Sequence, residues 1–430
     1  MAIFEVEGGR TLSGTIRPSG NKNAALPCLS AALLTAEPVR FRNVPRIRDV
    51  ETLLEIIAAL GARVEWAGAN EVVIEAGGVR AGRPDAVLAE RIRASILLAG
   101  PLLARFGAVE LPPPGGDVIG RRRLDSHFLA FEGLGAQISL DGRSFKIRAD
   151  RLVGADIFLD EPSVTATENA VMAAVRARGT TRLRNAAAEP HVQDLCHLLN
   201  RMGARIEGVG THTLVIEGVD ELGGAEFEIG ADHIEAGSFI GLAAVTRSRI
   251  EIEDAPLEHL DSTLIGFGRL GIETTVEGRS LIVHGDREQE VRQDAFGHVP
   301  KVDDGPWPAF PADLTSIALV TATQSRGTVL VHEKMFESRM FFTDKLVGMG
   351  ARIILCDPHR AVVVGPSPLR AASLESPDIR AGMALLLAAL AAKGTSRIHN
   401  IRQIERGYER VDERLQALGA GIRTLPAAEI

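Results

Sequence analysis

VETLLEIIAALGARVEW, residues 50–66, carries two periodicities that meet at a glycine. Apolar residues recur at helical spacing as far as Leu60, and after Gly61 the alternation Arg63-Val64-Glu65-Trp66 is that of a strand. Glycine at such a junction closes a helix in the left-handed conformation. The junction recurs as LGA at 134–136, MGA at 202–204, LGI at 270–272, MGA at 349–351 and LGA at 418–420. Gly61, Gly135, Gly203, Gly271, Gly350 and Gly419 stand 68 to 79 residues apart. Six periods of about 72 residues therefore account for the whole 430-residue chain.

Upstream in each period lies a more apolar helix, for example NAALPCLSAALLT, EAGSFIGLAAVT or RAGMALLLAALAA. A helix apolar nearly all round is a buried one. Each period reads helix, strand, helix, strand, strand, which makes it a small α/β unit. The sixth period lacks its last strands, since only GIRTLPAAEI follows Ala420. IFEVEGGRTLSGTIRPSG (3–20) matches LVIEGVDELGGAEFEIGAD (214–232) in pattern and supplies them. The expected fold is α/β with six units, three in each of two domains: residues 22–229, and residues 230–430 completed by 1–21. Two crossings of the chain and a cleft between the domains follow from that division.

The cap glycines also register the charges. Arg122, Arg339 and Arg406 stand 13, 11 and 13 residues before their glycines, at the start of the second helix. Lys22, Arg93, Asp313 and Arg380 stand 39, 42, 37 and 39 residues before theirs, at the start of the buried helix. Helix starts with free N–H groups favour anions, so a small multi-anionic ligand is expected. LPPPGGDVIGRRRLD (111–125) reads as a mobile loop, its prolines stiffening the entry and its glycines permitting movement.

Composition excludes several classes. With 48 basic and 56 acidic residues the net charge is −8, which excludes a generally basic nucleic-acid surface. The longest apolar run, Met383 to Ala392, is about half a membrane crossing, and MAIFEVEGG lacks a signal-peptide pattern, so a cytoplasmic protein is expected. Cys28, Cys196 and Cys356 lie far apart and read as buried free thiols. There is no GxxxxGK[ST], GxGxxG or HExxH, and His191 and His197 are six apart, so neither a P-loop nor a metal site is expected.

PSGNKNAALP (18–27), RASILLAGPLLARFG (93–107), GGDVIGRRRLDSH (115–127), EPHVQDL (189–195), FPAD (310–313), FESR (336–339) and IERGYERVDERLQALGA (404–420) together resemble the enolpyruvyl transferases. The resemblance spans essentially the whole chain and is to the branch acting on UDP-N-acetylglucosamine. It implies an inside-out α/β barrel of threefold-repeated domains. It also implies transfer of the enolpyruvyl group of phosphoenolpyruvate to the sugar 3-hydroxyl with release of phosphate, an early step of peptidoglycan synthesis, without cofactor or metal. Lys22 and Arg122 match the phosphate positions, and Arg339, Arg380 and Arg406 those at the carboxylate and in closure. Asp313 matches the ligand and base at the sugar hydroxyl. Asn23, Arg93, Asp125, Ser163 and Met335 match positions around the UDP-sugar, and Asp378 is expected to bind substrate.

Four departures stand out against that pattern. Asp117 occupies the place of the cysteine that usually delivers a proton, as in a minority of the family, and its presence implies fosfomycin resistance. Where the family commonly has REPE, SVGAT and DRIE, this chain has AEPH (188–191), SVTAT (163–167) and DHIE (232–235). Two alternatives therefore stand beside the leading reading. One is transfer to another acceptor, a different uridine nucleotide or shikimate 3-phosphate; the other is a non-catalytic UDP-sugar sensor. The oligomeric state is left open.

Overall fold

The structure is a computed structural model, and it describes residues 2–80, 82–117, 119–142 and 144–426. The chain divides into two compact units, one of Gly20–Asp117 and Arg122–Gly230, the other of Met1–Ser19, Val118–Arg121 and Ala231–Ile430. Among the described residues there are six sheets, three in each unit. In the unit ending at Gly230 one sheet runs in the order 225–228, 39–42, 71–75, 63–68, and a second 205–207, 213–217, 180–184, 156–158. The third has three strands, 108–111, 144–148 and 137–141. In the other unit the N-terminal strand Ile3–Gly8 lies between Gly394–His399 and Gly421–Leu425, with Val6 opposite both Ser396 and Ile422. Ser13–Ile16 forms the edge of the sheet containing Arg249–Ile252.

The six glycine junctions fold alike. Gly61, Gly135, Gly203, Gly271, Gly350 and Gly419 all have φ between +81° and +105°. In each, the N–H of the following residue reaches back to the last helical turn, as from Ala204 to Leu199 O (2.9 Å) and Ala420 to Leu415 O (3.0 Å). That residue is buried in every case, which anchors the turn against the core. The apolar helices are buried as their composition requires: every residue of His233–Val245 and Thr315–Ala322 is buried, and all of Ile379–Ala391 but the last. These three pack together around Gly241, where a Cβ would sit 2.4 Å from Ile317 Cγ2 and 3.2 Å from Leu387 Cδ2. Five of the sheets also carry a short parallel edge strand, such as Ala225–Glu228 beside Val39–Arg42. Among the described residues no helix is long and apolar enough to cross a membrane.

Candidate active site

In the unit ending at Gly230, Lys22 opens the helix Lys22–Ala31, whose N-cap is Asn21. The Asn21 side chain accepts the N–H groups of Asn23 (2.8 Å) and Ala24 (3.1 Å). Lys22 Nζ lies 2.8 Å from Asp49 Oδ2, a nearly buried ion pair. Arg93 starts the turn Arg93–Leu98, and its Nη2 donates to the carbonyl oxygens of Arg122 (2.9 Å) and Arg123 (3.3 Å). Burial, with the Arg122 charge, brings the Arg93 guanidinium down to about 10. The loop glycines pass against this segment. A Cβ at Gly115 would lie 1.8 Å from Glu90 O, and one at Gly116, where φ is +103°, 2.8 Å from Arg93 Cβ. Only glycine lets the backbone approach so closely and deliver the half-buried Asp117 that follows. Ile119 and Arg121 belong to the other unit, where Ser338 N–H donates to Ile119 O (3.1 Å) and Arg121 N–H to Glu337 Oε2 (3.2 Å).

Asp125 and Ser163 occupy helix starts. Asp125 is the exposed first residue of Asp125–Gly133, and Ser163 is the N-cap of Val164–Ala174. Between those two helices lies a buried polar set. Asn169 donates to His127 Nδ1 (3.0 Å) and to Ile96 O (2.9 Å), and its Oδ1 accepts from Gly100 N–H (2.7 Å). With Nδ1 an acceptor, the His127 proton sits on Nε2 and is donated to Thr165 Oγ1 (3.0 Å). Burial and the Arg93 charge hold His127 down to about 3, so it is neutral. Thr165 is the changed residue of SVTAT, and its hydroxyl is thus matched by a histidine 38 positions away.

In the other unit, Asp313 is gripped by two arginines. Arg339 Nη2 donates to Asp313 Oδ1 (3.0 Å), and Arg380 reaches Oδ2 through Nε (3.0 Å) and Nη2 (2.9 Å). Both arginine side chains are buried, at 3% and 6% exposure, while Asp313 keeps 27%. Burial works against the Arg380 charge, but Asp313, Tyr408 and Asp232 outweigh it and hold the guanidinium charged. Asp378 caps the helix Ile379–Ala391, its Oδ1 accepting from Arg380 N–H (2.8 Å) and Ala381 N–H (2.9 Å). Met335 is exposed, and Arg406 Nη1 donates to Gln403 Oε1 (2.8 Å). His233, the changed residue of DHIE, stacks edge-on with His259 and Trp307 at centroid distances of 6.2 and 5.9 Å. Burial above all takes it down to about 3.

Several expectations change. Asn21, Asp232 and Asp378 already cap three of the six buried helices, so those helix starts do not offer free N–H groups to an anion. The cationic side chains carry the charge instead. Arg122, Arg339 and Arg406 lie in the turns before the second helices, which begin at Asp125, Thr343 and Val411. Cys28 and Cys196 are buried, and burial pushes Cys196 up to about 12, but Cys356 is exposed on the strand Arg352–Asp357. Asp49, which meets Lys22, and Glu333, which meets Arg339, carried no sequence signal, because each finds its partner only through the fold. Among the described residues no group of three or more His, Cys, Asp or Glu residues is arranged to hold a metal ion.

Comparison with known proteins places this geometry. The profile of the EPSP synthase (3-phosphoshikimate 1-carboxyvinyltransferase) family matches residues 6–415. The chain belongs to the enolpyruvyl transferase family. The UDP-N-acetylglucosamine 1-carboxyvinyltransferase of Bradyrhizobium diazoefficiens is 63% identical over 423 residues, 98% of each chain. That of Treponema denticola is 56% identical over 98% of this chain and 99% of its own. Among solved structures, the enolpyruvyl transferase NikO from Streptomyces tendae superimposes with a TM-score of 0.87 at 26% identity, covering 99% of both chains. As an enolpyruvyl transferase the chain is an enzyme, and its mixed α/β fold is that of the family.

Proposed function

We propose that this enzyme transfers the enolpyruvyl group of phosphoenolpyruvate to the 3-hydroxyl of UDP-N-acetylglucosamine, releasing phosphate, in the cytoplasmic phase of peptidoglycan synthesis. The observation that carries this reading is 63% identity along 98% of the chain to a relative named for that reaction. Asp313 takes the proton of the sugar hydroxyl. The two guanidinium groups fix its carboxylate, which keeps 27% exposure and stays open to that hydroxyl. The hydroxyl oxygen bonds to carbon 2 of phosphoenolpyruvate while Asp117 gives a proton to the methylene carbon, making a tetrahedral ketal. Loss of a proton from the new methyl group and departure of phosphate then restore the double bond. Lys22 and Arg122 serve the phosphate, and Arg339, Arg380 and Arg406 the carboxylate, for which the arginine fork suits both oxygens. Asn23, Arg93, Asp125, Ser163, Met335 and Asp378 serve the UDP-sugar. The finer architecture belongs to the same proposal: six units as an inside-out barrel, divided at 22–229 and 230–430 with 1–21.

A second reading, transfer to a different uridine nucleotide, is favoured by Thr165, Ala188, His191 and His233, the changed residues of SVTAT, AEPH and DHIE. The product decides. Incubation with phosphoenolpyruvate and UDP-N-acetylglucosamine should give an equimolar yield of phosphate and of a nucleotide sugar heavier by the enolpyruvyl group. Phosphate without that product would defeat the leading reading.

A further inference from the structure

Behind Arg339 lie two acids that the transfer chemistry does not use. Glu333 and Asp304 are both fully buried, at 0% exposure. Glu333 Oε1 accepts the N–H groups of Met335 (3.2 Å) and Phe336 (3.1 Å), and Asp304 Oδ1 accepts that of Lys334. Asp304 N–H donates to His332 O (3.3 Å), which sets the two acids on adjoining chain segments. Asp304 Oδ2 and Glu333 Oε2 are nevertheless left without a donor, as is Arg339 Nε without an acceptor. Arg339 Nε stands 3.4 Å from Glu333 Oε2, within ion-pair range but out of hydrogen-bond alignment. Three orphaned atoms in one buried cluster call for an explanation.

We propose that Asp304 and Glu333 share one proton and act as a single monoanionic support that fixes the Arg339 guanidinium, which makes both acids positioning residues for the reaction. A proton between Oδ2 and Oε2 satisfies both oxygens at once. Two full carboxylates buried side by side would repel, and the cheaper state is one charge for the pair. Arg339 then faces one negative charge on Asp313 and one on the acid pair. The other polar groups at hand do not supply a compensating cation. Lys334 Nζ is committed to Asp303 Oδ2 (2.6 Å), and the His359 ring meets the carbonyl oxygen of Glu333 (2.8 Å). Burial first, and Asp304 beside it, push Glu333 up to about 9 against the pull of Arg339. Above that pH a second buried charge would draw the guanidinium toward Glu333 and away from Asp313.

The kinetic half of the test rests on Arg339 serving phosphoenolpyruvate; the spectroscopic half does not. In native enzyme KM for phosphoenolpyruvate should rise as pH passes about 9. Glu333→Gln reproduces the protonated acid, with an oxygen for the two N–H groups and an amide donor for Asp304. It should keep kcat/KM at pH 7 within about threefold and lose the alkaline rise, whereas Glu333→Ala should lose about tenfold or more. Asp304→Asn removes the facing carboxylate, so the rise should move to lower pH. The infrared carbonyl band of a protonated carboxyl should be present in native enzyme at pH 7 and diminished in Glu333→Gln. A band untouched by Glu333→Gln, Gln as damaging as Ala, or an alkaline rise unmoved in Asp304→Asn would each overturn the proposal. If native enzyme transfers no enolpyruvyl group, the functional reading fails, and the infrared band alone still decides the shared proton.

Discussion

At the residue scale the chemistry turns on Asp117. A carboxyl at this position can give a proton to carbon. An amide gives none, so Asp117→Asn should lose roughly a hundredfold or more in kcat, the ordinary worth of a general acid. Asp117→Cys should remain active. A carboxylate is a poorer nucleophile than a thiolate, so fosfomycin should leave the native enzyme unmodified and alkylate Asp117→Cys, read by the mass of the loop peptide. Covalent adduct on the native loop, or full activity in Asp117→Asn, would remove Asp117 from that role. The cations and Asp313 were legible because repeat position and motif mark them. Asp49, Asp304 and Glu333 were not, since a carboxylate that steadies a cation needs only the right place in space: Asp49 meets Lys22 from another helix, and Glu333 meets Arg339 from before a turn.

At the element scale the helix ends give a matched pair of glycines. Gly203 has φ of +103° and nothing within 4 Å of the place a Cβ would take, so its demand is purely conformational. Gly203→Ala should destabilise by about 1 kcal/mol. Gly268 lies inside the helix Asp261–Arg269, also in open space and with no left-handed φ. There Gly268→Ala should stabilise by about 0.5–1 kcal/mol, because alanine loses less backbone freedom on folding. Urea midpoints for the two variants should move in opposite directions; a shift of the same sign would contradict the cap assignment. The helices and their caps were readable from apolar spacing and one glycine. The starts at Lys22 and Arg380 were readable too, but not the residues that cap them, because a capping Asn21 or Asp378 looks in sequence like any polar residue beside a site.

At the scale of the whole molecule, buried neutral groups set the response to pH. His127 and His233, near 3 when folded and about 6.5 when unfolded, stay neutral inside, so each contributes stability above pH 6.5 that is lost as pH falls toward 3. Glu168 and Glu333 are shifted the other way, Glu168 by burial and the Glu189 charge. Their contribution is present at low pH and is lost as pH rises from about 4.3 through their folded values. Each group contributes a slope of about 1.4 kcal/mol per pH unit at most, so two opposite pairs nearly cancel between about pH 4.5 and 6.5. Above pH 6.5 the histidine terms are spent and the glutamates act alone. Stability should therefore decline from pH 6.5 to 9, and Glu168→Gln should flatten that decline; a rise over the same interval would refute it. The six glycine junctions were visible across the whole chain because each closes its helix in the same left-handed turn. Residues 13–16 join the sheet of 249–252, and 225–228 that of 39–42, pairings that local periodicity cannot announce.

The acceptor decides what this enzyme makes. Phosphate release from phosphoenolpyruvate, followed with UDP-N-acetylglucosamine, a uridine nucleotide without the sugar, and shikimate 3-phosphate in parallel, tests it most directly. Sustained release is expected with UDP-N-acetylglucosamine and background rates with the other two. Release with one of the others and none with UDP-N-acetylglucosamine, or release with no acceptor in the set, would contradict it.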